Sequence, residues 1–243
     1  MSSRTGFFFD YDGTLSPADV DREYAYPPKK NIEMIGFLRS RGHPVFIVSS
    51  KDCEFLLSRS LGVEGLACVN GVEIRARGYV LLDEKILDSE RARVFNRLVE
   101  EAIELVRGDA YIELKRIATR EVVGLGIDWR GRGLEPRNLS RVVEIFEKSG
   151  FYIRRGDSMP FIDIYMISKR KSEAVEILRR LFSLEKVVYF GDSSGDEDAF
   201  RAADTSVLVR HRYNKDLSIK VDYEVNFEEL SEWVVSRYAE LSH

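Results

Sequence analysis

Short apolar stretches alternate with helix-period stretches at both ends of this chain, and that alternation limits the fold more than any other feature. FFF at 7–9, VFIVSS at 45–50 and LACV at 66–69 read as buried strands. Between the first two, a helical period over 31–41 turns Ile32, Ile35 and Leu38 to one side, and a further helix starts near Asp52. The far end repeats the scheme: a helix over 170–182, the strand VVYF at 187–190, a short helix, the strand SVLV at 206–209 and a terminal helix over 227–241. This order predicts an α/β fold, a doubly wound, mostly parallel, Rossmann-like sheet with helices on both faces.

The pattern changes over 79–167. A helix over 88–107, with Val94, Leu98, Val99, Ala102, Ile103 and Val106 on one side, leads to YIELKRIA and EVVGLGID, which form a hairpin around Thr119 and Arg120. A helix over 139–148 then leads to FYIRR and FIDIYMI. Helix, strand, strand occurs twice, which predicts an α+β domain at 79–167 inserted into a core made of 1–78 and 168–243.

Composition removes several function classes. The net charge is −4 with both signs interspersed, so no basic stripe exists to follow a nucleic-acid backbone. No apolar run is long enough to span a bilayer, and the first strand begins too early to leave room for a signal peptide; the expected location is the cytoplasm. Cys53 and Cys68 lack the spacing of a metal pair, and two such residues are expected to be small buried apolar side chains rather than a disulfide. His43, His211 and His243 are scattered, so neither a histidine metal site nor a Ser/His/Asp triad is expected. Charged residues make up 32% and Gln is absent, a bias that suits a thermophile's ion-pair networks.

Chemistry therefore falls to carboxylates. In FFFDYDGTLS, Asp10 and Asp12 follow a buried strand one residue apart, so an extended chain would turn both to one side, where like charges repel. A Mg²⁺ ion between them removes the conflict, since it takes carboxylate oxygens and keeps sites for water and phosphate. In VVYFGDSSGDEDAF, Asp192 and Asp196 follow a second buried strand and could share the same cation, whereas Glu197 and Asp198 also suit the first turn of a helix. Asp10, Asp12 and Ser49 all fall at the carboxyl ends of strands, where ligands bind in such folds.

DYDGTL, Ser49 at a strand end, the Lys of SKRKSEA and GDSSGDEDAF resemble, in order and spacing over the whole chain, the four motifs of the haloacid dehalogenase superfamily of Mg²⁺ phosphatases. The insert resembles the large α/β cap of the sugar phosphatase branch. GDSSGDEDAF, VNGVEIRARG, IELKRIATREVVGLGID and FIDIYMISKRKSEA are similar to segments of the trehalose-6-phosphate phosphatase family. The resemblance implies Asp10 as nucleophile, Asp12 as acid and base, Ser49 on the phosphate oxygens, and Lys171 rather than Lys169 against the transition-state charge. It implies Mg²⁺ on Asp10, the Asp12 carbonyl and Asp192, with Asp196 acting through water or by orienting Lys171. It also implies a small phosphosugar substrate held by Glu113, Lys115 and Asp163. Ser49-Ser50-Lys51, Lys171-Ser172, Gly195 and Ile127-Asp128-Trp129 depart from the family's usual residues. Mannosyl-3-phosphoglycerate, sucrose 6-phosphate and phosphoglycolate therefore stay open as substrates, as does a catalytically silent phosphosugar-binding module.

Overall fold

A computed structural model describes residues 4–59, 61–156 and 159–239. The first strand, β1 (Thr5–Phe9), is buried throughout. It is followed by α1 (Lys29–Ser40), β2 (Val45–Val48), α2 (Cys53–Leu57), β3 (Gly65–Cys68), β4 (Glu73–Ala76) and β5 (Tyr79–Leu82). A second group comprises α3 (Ser89–Leu105), β6 (Tyr111–Arg116), β7 (Val122–Asp128), α4 (Leu139–Lys148), β8 (Tyr152–Arg155) and β9 (Phe161–Tyr165). The chain then continues through α5 (Lys171–Leu181), β10 (Lys186–Gly191), α6 (Glu197–Ala202), β11 (Thr205–Arg210), β12 (Tyr223–Asn226) and α7 (Leu230–Tyr238).

These elements form two compact units, one of residues Leu82–Lys169 and one of the remainder. In the larger unit the sheet runs β12-β11-β10-β1-β2-β3-β4-β5, parallel from β12 to β3, with β4 antiparallel to β3. The three consecutive phenylalanines of β1 serve both faces of this sheet, because side chains alternate along a strand. Phe8 stacks on Phe46 and joins Tyr189, Val175, Leu178 and Phe200 beneath α5 and α6. Phe7 meets Tyr238 of α7 edge to face at 4.8 Å, and Phe9 stacks on Phe190, which meets Trp233 of α7. In register, Phe9 pairs with both Phe190 and Ile47, so the chain leaves β1, β2 and β10 at nearly one level. That level holds the site.

The smaller unit is an antiparallel sheet of order β6-β7-β9-β8, with α3 and α4 packed on it and on each other. Its core is Phe95, Leu98, Val99, Phe146, Leu125, Ile127, Ile162 and Ile164.

Several expectations need correction. Ile32 is exposed: α1 starts at Lys29 and is anchored by Asn31 Nδ2, which donates to the Leu15 carbonyl at 3.0 Å, so Asn31, Met34, Ile35 and Leu38 face inward. On α3, Phe95 takes the central place, edge to face with Phe146 and Phe151, and Val94 and Ile103 are only half-buried. Tyr79–Leu82, where the change of pattern was expected, is the last strand of the large sheet, so the second unit begins later and ends at Lys169. Cys53 and Cys68 are not free thiols but a disulfide, with Cα atoms 5.3 Å apart. The backbone brings them together: Val69 N–H donates to the Lys51 carbonyl and Asn70 N–H to the Ser49 carbonyl, each at 2.8 Å, which lays the start of α2 beside the end of β3. The terminal helix is described as far as Tyr238; the expected extension to 241, and His243, lie outside the described residues.

Candidate active site

Past Phe9 the chain cannot continue as a strand, because Gly13 adopts φ +75° and the Tyr11 carbonyl collects the N–H groups of Leu15 and Ser16 at 2.9 Å each. The Tyr11 hydroxyl donates to the buried Ala25 carbonyl at 2.7 Å, which pins the turn. Asp10 is thereby buried at the strand end, its N–H donating to the Phe190 carbonyl at 2.8 Å. Asp12 sits farther out, its side chain 39% exposed, and its Oδ2 is 3.2 Å from the buried Nζ of Lys51. Asp10 and Asp12 thus part company: one carboxylate enters the buried cluster and the other pairs with a lysine at its margin.

The cluster has one cation at its centre. Lys171, the first residue of α5, is buried with Nζ 2.9 Å from Asp10 Oδ1 and 2.6 Å from Asp196 Oδ1. Asp196, wholly buried, also accepts the Tyr189 hydroxyl on Oδ1 at 2.8 Å, and on Oδ2 the N–H groups of Asp192 and Ser193 and the Ser193 hydroxyl. Both oxygens of Asp196 are therefore committed to holding protein groups, and its principal effect is to aim Lys171 at Asp10. One carboxylate oxygen from each of Asp10, Asp192 and Asp196 lies within 4.8 Å of the others.

Three carboxylates around one ammonium leave excess negative charge out of water. Burial pushes the Asp10 carboxyl well above its ordinary range; Lys171 pulls it down, and Asp196 and Asp192 push it further up. Burial and then Asp196 likewise raise Asp192. The Tyr189 hydroxyl is raised too, by burial and by Asp196. A hard divalent cation would neutralise this excess, and buried oxygen donors of this kind fit Mg²⁺. Asp10 and Asp192, whose oxygens are less committed than those of Asp196, are the carboxylates that could hold it.

Ser49, buried just after β2, is fixed by its own backbone: its N–H donates to the Ala67 carbonyl at 2.9 Å, and its Oγ accepts the Lys51 N–H at 3.2 Å. That leaves the hydroxyl hydrogen to donate elsewhere. His211 was not expected near the site, yet its Nε2 lies 2.9 Å from Asp192 Oδ2. Burial holds its imidazole below its ordinary value.

In the smaller unit Glu113, Lys115 and Asp163 form one cluster. The Lys115 Nζ is 3.3 Å from Glu113 Oε1 and 3.2 Å from Asp163 Oδ1, and the Tyr165 hydroxyl donates to Asp163 Oδ2 at 2.8 Å. This is not a solvated strand face, since the Lys115 side chain is 2% exposed and that of Asp163 9%. Gly124 and Gly126 on β7 make the room: a Cβ at Gly124 would stand 2.9 Å from Lys115 Cδ, and one at Gly126 3.1 Å from Asp163 Oδ1.

Comparison with known proteins returns phosphatases. The family model for trehalose-phosphatase matches residues 8–120. A trehalose-6-phosphate phosphatase-related protein of Thermoplasma acidophilum is 25% identical over 205 residues, covering 84% of each chain. Trehalose-phosphatase of Saccharomyces cerevisiae is 27% identical over 84% of this chain, which spans only 25% of the yeast protein's length. Among solved structures, the C-terminal domain of the C. albicans trehalose-6-phosphate phosphatase shares the fold with a TM-score of 0.75 and 19% identity, covering 97% of this chain and 92% of that one. A subclass IIB sugar phosphatase of the haloacid dehalogenase superfamily shares it with a TM-score of 0.63 and 17% identity, covering 97% and 99%. The chain shares its fold with a phosphatase of the haloacid dehalogenase superfamily and is similar in sequence to trehalose-phosphatases, which are phosphoric monoester hydrolases. In both sequence and fold it resembles the trehalose-6-phosphate phosphatases.

Proposed function

We propose that this chain is a Mg²⁺-dependent phosphatase that converts trehalose 6-phosphate to trehalose and inorganic phosphate through an aspartyl phosphate on Asp10. The observation that carries the reading is the buried triad: Lys171 grips Asp10 Oδ1 and Asp196 at once, which fixes the Asp10 carboxylate so that its other oxygen can serve as the nucleophile.

In the first step that Asp10 oxygen forms a bond to phosphorus while the bond from phosphorus to the sugar oxygen breaks. Asp12, at the exposed margin, gives its proton to the departing oxygen. In the second step Asp12 takes a proton from water, whose oxygen bonds to phosphorus as the Asp10–phosphorus bond breaks. Ser49 donates its hydroxyl to a phosphate oxygen, and the Lys171 ammonium offsets charge gathering there. Mg²⁺ on Asp10, the Asp12 carbonyl and Asp192 would supply charge neutralisation and orientation of the phosphate. Glu113, Lys115 and Asp163 hold sugar hydroxyls, for which a lysine between two carboxylates offers both donors and acceptors.

Among the described residues no helix is long and apolar enough to cross a membrane. We assign the protein to the cytoplasm of a thermophile, where an internal disulfide, the absence of Gln and abundant ion pairs are compatible with one another. The test is phosphate release from a panel holding trehalose 6-phosphate, sucrose 6-phosphate, mannosyl-3-phosphoglycerate and phosphoglycolate, with Mg²⁺ and with EDTA. Trehalose 6-phosphate should have the highest kcat/KM, and EDTA should abolish release. A better substrate elsewhere in the panel would overturn the sugar assignment, and no release from any would favour a silent binding module.

A further inference from the structure

His211 opens a short turn after β11, and every polar atom of its ring is engaged. Its Nδ1 accepts the Tyr213 backbone N–H at 3.2 Å. A neutral imidazole with Nδ1 used as acceptor carries its proton on Nε2. Nε2–H therefore donates to Asp192 Oδ2 at 2.9 Å. Asn214, three residues on, grips the same aspartate from behind: its Nδ2 donates to the Asp192 carbonyl at 2.7 Å and to the Val209 carbonyl at 2.8 Å, and its Oδ1 accepts the His211 N–H at 2.9 Å. On the opposite side, Gly13 stands so close that a Cβ there would be 2.2 Å from Asp192 Oδ2 and 2.9 Å from His211 Nε2. One turn thus holds both the main chain and one carboxylate oxygen of Asp192, and the glycine turn after Asp10 closes over them.

We infer that His211 is a positioning residue for the metal centre, a neutral donor that fixes one oxygen of Asp192 and leaves the other turned to the cation. The inference rests on the reading of Asp192 as a metal ligand. A carboxylate free to rotate between its two oxygens must be ordered each time the ion binds, and outer partners of metal ligands typically contribute about 10- to 100-fold in metal affinity.

The reach of the side chain makes the test specific. Gln can set its amide N–H₂ near the place of His Nε2, whereas Asn carries its amide only as far as Nδ1 and cannot touch Asp192 Oδ2. Mg²⁺ is titrated calorimetrically into the EDTA-stripped, dialysed protein and into H211A, H211N, H211Q and D192A, with circular dichroism and melting curves as folding controls. H211A and H211N should bind Mg²⁺ about 10- to 100-fold more weakly, and H211Q within roughly threefold of the parent protein. Wild-type affinity in H211A, or equal losses in H211Q and H211N, would overturn the inference; if H211A fails to fold, the Gln and Asn pair decides it alone. D192A separates the two levels. Should D192A bind Mg²⁺ normally, the metal reading falls and the inference with it; should D192A lose binding while H211A keeps it, the inference falls alone.

Discussion

Each unit of this protein buries a lysine between two carboxylates, and the proposed function gives the two clusters different work. Lys171 lies between Asp10 and Asp196, and Lys115 between Glu113 and Asp163. The first sits where parallel strands end and α5 begins, so its groups come from three separated stretches of chain. The second sits on neighbouring antiparallel strands, with room made by Gly124 and Gly126. The Lys171 cluster also has a third carboxylate, Asp192, and hence a charge excess that favours a divalent ion. The Lys115 cluster has one carboxylate fewer and a tyrosine hydroxyl, a mixture of donors and acceptors that would suit sugar hydroxyls. In the proposed reading, similar parts serve phosphate chemistry in one unit and recognition in the other, and the difference lies in one aspartate and in how the backbone presents the groups.

The sharpest contrast should come from neutralising the central acid of the first cluster. D10N keeps the shape and the contact with Lys171 but loses the nucleophile, so phosphate release should fall by roughly 10⁴-fold or more in a protein with an unchanged circular dichroism spectrum. The next largest effect concerns the ion. EDTA should remove activity and Mg²⁺ restore it, whereas a titration of Mg²⁺ into the D10N/D192A double variant should show no binding heat at the concentrations that saturate the parent protein. Equal activity with and without EDTA would erase the distinction between the clusters.

The second cluster should respond selectively. E113A, K115A and D163A should each lower kcat/KM on trehalose 6-phosphate by about 10- to 100-fold, the loss expected from one or two hydrogen bonds to charged groups. Activity on a small aryl phosphate, which has no sugar to hold, should change little. Equal losses on both substrates would make the Lys115 cluster a support of the fold and not a recognition site.

The smallest effect is on stability and comes from charge. Burial and Asp196 raise the folded Asp192 carboxyl above the value of 3.8 of an unperturbed aspartate. The folded state then holds a proton that the unfolded chain has released, so stability falls as pH rises from near that value through the folded-state pKa. D192N removes the penalty and keeps an oxygen to accept from His211. In EDTA at neutral pH it should melt roughly 2–4 °C higher than the parent, the shift that about 1 kcal/mol produces in a protein of this size. The gain should vanish toward acid pH and reverse in sign when Mg²⁺ is added. A D192N protein that melts lower in EDTA would show that the Lys171 ammonium already compensates the cluster.

The parts of this structure legible in the sequence are those where local pattern and tertiary role coincide. FFFDYDGT reads as a strand and turn because both faces of β1 are covered and Gly13 must turn at positive φ. Lys171 could be chosen over Lys169 only by resemblance; in the structure Lys171 reaches Asp10, while Lys169 pairs with Asp83 at 2.7 Å. Burial of Lys115 was not legible, because an alternating polar strand looks solvated until its cross-strand glycines are known. His211 was hidden for a related reason: it stands 19 residues from Asp192, and what joins them is the parallel pairing of β10 with β11. It does fall just after a strand's carboxyl end, the same rule that singled out Asp10 and Ser49, and that rule applied to SVLVR would have found it. The disulfide escaped because Cys53 and Cys68 approach through backbone hydrogen bonds of the 49–51 turn, which no spacing reveals. β4, β5 and β12 are short and irregular in pattern, and sheet pairing rather than periodicity defines them.

The central claim is that Asp10 carries the phosphoryl group, and the most direct measurement traps it there. Enzyme in excess over trehalose 6-phosphate is mixed with Mg²⁺, quenched in acid within milliseconds and reduced with borohydride, which converts an aspartyl phosphate to homoserine; mass spectrometry of the peptide spanning β1 then reads position 10. The account predicts homoserine at position 10, rising and falling with the single turnover and absent when substrate or Mg²⁺ is withheld. Complete turnover with unmodified aspartate at position 10 at every time point, in a control where a model acyl phosphate is reduced efficiently, would contradict it.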